Sequence, residues 1–304
     1  MSLMTKDEFE DALDARIDSY NEEEWPEQES YITDWHTVVS GPKEDWRYSE
    51  KGTFADWPIF TGNLEYQTMY EGYDGTITPL IFASGFQVDQ TLDEDNLWGD
   101  FEMSTRGLMQ ALWRTREKDA HAWLTRGFTN DTKFNVISEG VPLFSSAHTN
   151  RSGFPTTTGY DNAGVTALSA AAVAATFKVM AKQLDSRGNR IRVRPDTISC
   201  GTQNYDIAAE IVKSQDKSGT ANRTHNVHAG QYTIEVSQYF NVNENDWAMS
   251  DSRLRKQNLL WFEKKKADFG RTEAFENFQY KIRGRARWGC GHRNWRGMHA
   301  HDVA

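Results

Sequence analysis

The chain has 304 residues, 38 % hydrophobic and 12 % aromatic, with 44 acidic against 34 basic side chains and a net charge of −10. That length exceeds the size at which single cores stop growing, so one large or two medium domains are expected; 11 Trp and abundant Phe and Tyr exclude a disordered chain despite a mean hydropathy of −0.73. A pI near 5.3 excludes a global pull toward nucleic acid or anionic membrane, and two cysteines are too few for a disulfide framework.

Cys200 and Cys290 lie far apart in sequence and read as free thiols of a reducing compartment. Met1 to Asp14 is charged, with no signal-like apolar run. The longest uncharged small-residue run, Asn162 to Phe177, is shorter than the ~20 residues of a membrane span. A soluble intracellular protein with no membrane partner is expected.

Thr5-Lys6-Asp7-Glu8 has the capping-box form, and Phe9, Leu13, Ile17 and Tyr20 follow at helical spacing, which predicts a short amphipathic helix. Residues 21–51, with Trp25, Trp35 and Trp46 at no clear period, read as an extended arm. From 52 to 105 the chain carries ten Asp and Glu and no Lys, Arg or His. Residues 1–100 hold 24 acidic and 5 basic groups, whereas the remaining 204 hold 20 and 29. Such segregation suits a protein that binds copies of itself.

Asp74-Gly75 is a two-residue turn signal, and the flanking runs 64–73 and 76–85 are rich in β-branched and aromatic residues, which predicts a long hairpin. Two such strands would reach roughly 33 Å at ~3.3 Å per residue, and an isolated ribbon is marginal in water. Its aromatic residues are enriched as interface cores are, so Trp57, Phe60, Tyr66, Tyr70, Tyr73, Phe82 and Phe86 are expected at a subunit interface. The competing reading is a hairpin that covers its own core. Asp56, Glu65, Glu71 and Asp74 are expected to face basic residues of an adjacent copy.

Residues 93–126 predict a long helix, acidic at its start and basic toward its end, with Leu97, Phe101, Leu108, Leu112 and Trp123 on its apolar face and Gly127 as its stop. A polar loop over 140–166 precedes alternating elements. Ser169 caps a helix with Val173, Phe177, Met180 and Leu184 on one face; strands are predicted over 191–200 and around Tyr232, Ile234 and Val236, with a helix over 202–213 between them. The class is α+β.

Near the end, Lys281, Arg283, Arg285 and Arg287 occupy alternate positions, so a strand there is cationic on one side. Self-contact and a solvated sheet face explain this equally, ahead of a nucleic-acid contact that would neutralise phosphates without reading sequence. The Rossmann fingerprint, phosphate loop, zincin pair and nucleophile elbow are absent. Cys290, His292, His299 and His301 match no standard zinc spacing. No catalytic, cofactor or metal residue is assigned.

Pro142 to Asn150 (PLFSSAHTN), the Ala-rich segment 167–184, Asp185-Ser186-Arg187-Gly188-Asn189 leading into Arg192-Val193-Arg194-Pro195, and the closing Trp295-Arg296-Gly297-Met298 resemble tailed-phage major capsid proteins of the Mu-like branch. The resemblance runs from about residue 54 onward. It implies the Hong Kong 97-type fold, with an N-terminal arm (1–51), an extended hairpin loop (52–90), a peripheral domain with a long spine helix (91–139), an axial domain (140–275), and a C-terminal strand returning to the peripheral domain (276–304). It further implies a non-enzymatic virion shell protein, assembled in the host cytoplasm as pentamers and hexamers around packaged double-stranded DNA bound without sequence specificity. A separate scaffolding protein and a portal are the implied partners, because little chain precedes the hairpin. Relatives that cross-link use a Lys in the extended loop, and none stands between Gly52 and Thr105, so a non-covalent shell is expected. The alternatives are an encapsulin-like compartment holding cargo enzymes and, in another class, a nucleic-acid-binding protein using the basic strand with Arg293 and Arg296.

Overall fold

The computed structural model describes residues 30–64, 66–89, 98–151, 160–216, 225–240, 244–274 and 279–303. The predicted opening helix, Trp25, Glu65 and the acidic start of the long helix lie outside them.

Two sheets carry the architecture. The first has strand order β1 (Thr37–Ser40), β9 (Leu259–Ala274), β10 (Gln279–His292), β4 (Leu80–Asp89), parallel at β1–β9 and antiparallel elsewhere. The second has the order β5 (Ala163–Gly164), β11 (Met298–His301), β8 (Trp247–Ser250), β6 (Thr197–Gly201), β7 (Thr233–Ser237). A separate ribbon pairs β2 (Trp46–Lys51) with β3 (Glu71–Ile77).

Period-2 alternation explains β10. Ile282, Ala286 and Trp288 are buried, while Lys281, Arg283 and Arg285 are exposed. The buried side faces the long helix Trp98–Ala120, whose Leu108, Leu112 and Thr115 line a cleft with Phe82, Phe269 and Gly284. At His121 the helix breaks, and a single further turn, Ala122–Thr125, carries Trp123 into the core. Gly127 follows because no Cβ fits there: it would stand 2.2 Å from the Trp123 carbonyl oxygen and 2.6 Å from the Phe144 ring.

The second sheet is covered on both sides, as all-buried strands require. On one face Trp247, Met249 and Ile198 pack with Val173 and Met180 of the helix Ala170–Met180 and with Ala208 and Ile211 of the helix Tyr205–Lys213. On the other, Ala248, Met298 and Ala300 meet Trp35, Trp123, Phe144 and Trp295. Ser169 caps its helix as expected, accepting from the Ala172 N–H at 3.2 Å.

Two expectations are corrected. Asp74-Gly75 is not a turn: β3 runs straight through it and pairs with β2, while β4 pairs with β10. Gly75 serves packing instead, since a Cβ there would stand 2.4 Å from the Tyr48 ring. Residues 31–51 are not extended throughout either, although β1 and β2 lie within them. Tyr31–Trp35 is a helix, and Trp35 is buried edge-on against Trp123 at 5.6 Å, because an indole of that size gains most inside the core. β9 joins β10 in the first sheet, whereas β11 lies in the second.

Candidate assembly surfaces

The ribbon β2–β3 is the stalk of a long loop over residues 52–70. Gly52 N–H donates to Tyr70 O at 2.9 Å, and Gln67 exchanges bonds with the Ala55 backbone at 2.7 and 3.3 Å, so the two limbs run side by side. The chain reverses near Gly62, whose φ of +112° suits glycine. Beyond the stalk the side chains face solvent: Trp57 is 92 % exposed, Ile59 90 %, Phe60 71 %, Leu64 68 % and Tyr66 90 %. Trp57, Ile59, Phe60, Leu64 and Tyr66 line one groove there.

The expected aromatic set therefore divides. Trp57, Phe60 and Tyr66 stand on the projecting part. Tyr70 and Tyr73 are half-buried at its root, Tyr70 beneath the Arg187 guanidinium at 5.1 Å and Tyr73 bonded through its hydroxyl to Thr149 Oγ1 at 2.8 Å. Phe82 and Phe86 belong to β4: Phe82 stacks on Trp288 at 3.8 Å, and Phe86 pairs with Ile282 across the sheet. These last two stand half-buried on β4, a strand of the first sheet paired with β10, and not on the projecting loop.

The acidic set also divides. Asp56 is exposed on the loop. Glu71 accepts from Ser49 Oγ at 2.7 Å; Asp74 accepts from the same hydroxyl at 2.6 Å and pairs with Arg151 of its own chain at 3.3 Å. Glu65 lies outside the described residues.

Arg187, to which the sequence reading gave no role, and Arg296, weighed there as a nucleic-acid contact, hold the loop's root. Arg187 Nε donates to Thr53 O at 2.7 Å and Nη2 donates to Thr68 O at 2.6 Å. Below it, Arg296 Nη1 donates to Glu50 of β2 at 3.0 Å, and burial pushes the Glu50 carboxyl above its ordinary range against that pull. In the sequence both stand in runs noted for their resemblance and not for their reach, Asp185–Asn189 for Arg187 and Trp295–Met298 for Arg296.

On the first sheet, Lys281, Arg283 and Arg285 form an exposed row with Arg287 half-buried. The cross-strand neighbours of Lys281, Arg283 and Arg285 are small or polar, Gln87, Gly85 and Ala83 on β4 and Thr272, Gly270 and Asp268 on β9, whereas Arg287 stands between Ile81 and Lys265. Asp268, opposite Arg285, bonds Lys265; that bond, with Arg283 and Arg285 nearby, holds its carboxyl below the ordinary value.

Chemistry finds little purchase. Cys290 and His292 lie on β10, His299 and His301 on β11, and no group of three or more His, Cys, Asp or Glu among the described residues is placed to hold a metal ion. Burial holds His299 and His301 at about 4, with His301 bonded to Thr176 Oγ1 at 2.8 Å. Among the described residues, no helix is long and apolar enough to cross a membrane.

A profile of the phage capsid protein family matches residues 75–300. No curated protein matches the chain in sequence. Its fold is similar to the mature capsid of bacteriophage PhiM1 (TM-score 0.58, 11 % identity, covering 91 % of this chain and 88 % of that one). It is similar also to the procapsid of bacteriophage JBD30 (0.57, 15 %, 99 % and 77 %) and the capsid of Myoviridae phage XM1 (0.56, 12 %, 90 % and 91 %). The α+β class and the Hong Kong 97-type architecture follow from these likenesses. The chain belongs to the phage capsid protein family.

Proposed function

We propose that the chain closes the head shell by laying its 52–70 loop on an adjacent copy, forming pentamers and hexamers around packaged double-stranded DNA, and that its role is structural and not enzymatic. The observation that carries this reading is the loop itself, anchored at its root while Trp57, Ile59, Phe60 and Tyr66 stand 71–92 % exposed. Burying a large apolar side chain contributes about 1.5–3 kcal/mol, and a neighbouring subunit supplies what the loop's own chain leaves uncovered. Assembly takes place in the host cytoplasm with a separate scaffolding protein and a portal. The cationic row on β10 meets either acidic groups of a neighbour or DNA phosphates without sequence preference. The shell is non-covalent.

The test is the triple variant Trp57→Ser, Phe60→Ser, Tyr66→Ser, viewed by negative-stain microscopy and sedimentation beside the parent chain, each with its neighbouring genes. Loss of closed particles from a folded subunit is expected; normal particles would sink the reading. Heat-denatured parent particles should run at monomer mass on a reducing gel.

A further inference from the structure

The turn Asp185–Asn189 is built to be stiff. Asp185 Oδ1 accepts from the N–H groups of Arg187 and Asn189, both at 2.8 Å, the Asp185 N–H donates to Asn189 O at 2.8 Å, and Gly188 sits at φ +86°. Asp185 and Ser186 are buried, and Asp185 Oδ2 accepts from Thr53 Oγ1 at 2.7 Å. Arg187 then spans the loop's root: one edge of its guanidinium holds Thr53 on the outgoing limb, another holds Thr68 on the returning limb, and its face covers Tyr70. The next bonds outward are the loop's own, between Ala55 and Gln67.

This placement makes the turn the fulcrum of a lever. From Thr53 to Phe60 an extended limb spans roughly 23 Å at ~3.3 Å per residue, so a swing of about 10° at the root displaces the tip by roughly 4 Å, more than a close-packed contact tolerates. A planar guanidinium with donors in fixed directions suits two carbonyls on separate limbs; a lysine ammonium offers a point charge on a flexible stem.

We propose that Arg187 is a positioning residue: it fixes the direction in which the loop leaves the subunit, and through it the angle between adjacent subunits of the shell. This rests on the loop being the assembly element. Spin labels at Asn63→Cys on the loop and Lys178→Cys on the helix Ala170–Met180 report the loop's direction, since Cys200 and Cys290 are buried and do not compete for the label; dilution with unlabelled chain removes distances between copies. The parent should give one narrow distance distribution, Arg187→Gln at least a doubling of its width, and Arg187→Lys an intermediate width, with an unchanged denaturation midpoint throughout. Arg187→Gln should assemble into open or unevenly curved shells.

An unbroadened distribution in Arg187→Gln overturns the positioning role, as does broadening accompanied by a fallen midpoint, which is what a general loss of structure gives. Broadening with uniform, normal shells overturns the link to shell geometry. The triple serine variant keeps the two readings apart: normal shells from it defeat the loop as assembly element, while the spin-label distances still decide what Arg187 does.

Discussion

Arg255 donates from both Nη atoms to Glu235, at 2.6 and 2.8 Å, while its guanidinium lies 5.3 Å from the Trp35 ring and 5.4 Å from that of Trp123. Glu235 belongs to β7 of the second sheet, Trp35 to the helix before β1, and Trp123 to the turn after the long helix. One buried side chain thus ties three distant parts of the chain together. Removing one partner of such a pair strands the other's charge. Glu235→Ala is expected to cost about 3–5 kcal/mol, read as a fall in the urea midpoint of the unassembled protein. A midpoint within error of the parent would contradict the assignment.

Acid should weaken the subunit. Burial holds His36 and His292 at about 3 and His121, His299 and His301 at about 4, all below the ~6.5 of the unfolded chain. A base with a depressed folded value favours the native state fully above pH ~6.5, and that contribution is lost as pH falls toward the folded values. Asp246, raised by burial to about 6, and Glu50, Glu117 and Asp119, also raised by burial, act in the opposite sense and gain as pH falls. The histidines prevail, since each unit of depression is worth about 1.4 kcal/mol and theirs are the larger shifts. The urea midpoint should therefore fall from pH 7 to 4.5, and His36→Phe should flatten that fall.

The thiols report global opening. Burial pushes Cys200 up to about 11 and Cys290 higher still. At pH 8 the thiolate of Cys200 is reduced about two orders of magnitude below that of a free cysteine near 8.5. Ellman's reagent should leave the folded chain unreacted and titrate both thiols along the urea unfolding curve. Prompt labelling of the native subunit would refute this.

Charge complementarity between copies is testable at Asp56, which is exposed and free of the in-chain contacts that Asp74 makes with Ser49 and Arg151. Asp56→Lys should lower particle yield and alter its salt dependence, and Arg285→Glu in the same chain should restore part of the loss. The effect per exposed pair is modest, about 0.2–1 kcal/mol, but it repeats at every subunit contact. Yields unaffected across the salt range would exclude the pairing.

Local chemistry made much of this molecule legible. The alternation of Lys281, Arg283 and Arg285 with Ile282 and Ala286 foretold a strand with one wet side, and Ser169 foretold its helix cap, because period and capping act within a few residues. Asp74-Gly75 misled for the same reason: dipeptide preference favours a turn, but the Tyr48 ring, brought in by β2, fills the space over Gly75. Trp35, likewise, reads as an isolated aromatic until Trp123 and Arg255 are folded around it.

The order of residues alone determined which segments could be strands or helices, where charge of each sign gathers, and that a run of aromatics lies in the acidic front of the chain. Only the tertiary structure decided which of those aromatics stay uncovered, sending Phe82 and Phe86 into β4 and leaving Trp57, Phe60 and Tyr66 outside. It alone brought Arg187 to Thr53 and Thr68, more than a hundred positions away. The physical reason is range: propensity and periodicity are properties of neighbours along the chain, whereas burial and a fork-shaped hydrogen bond depend on neighbours in space.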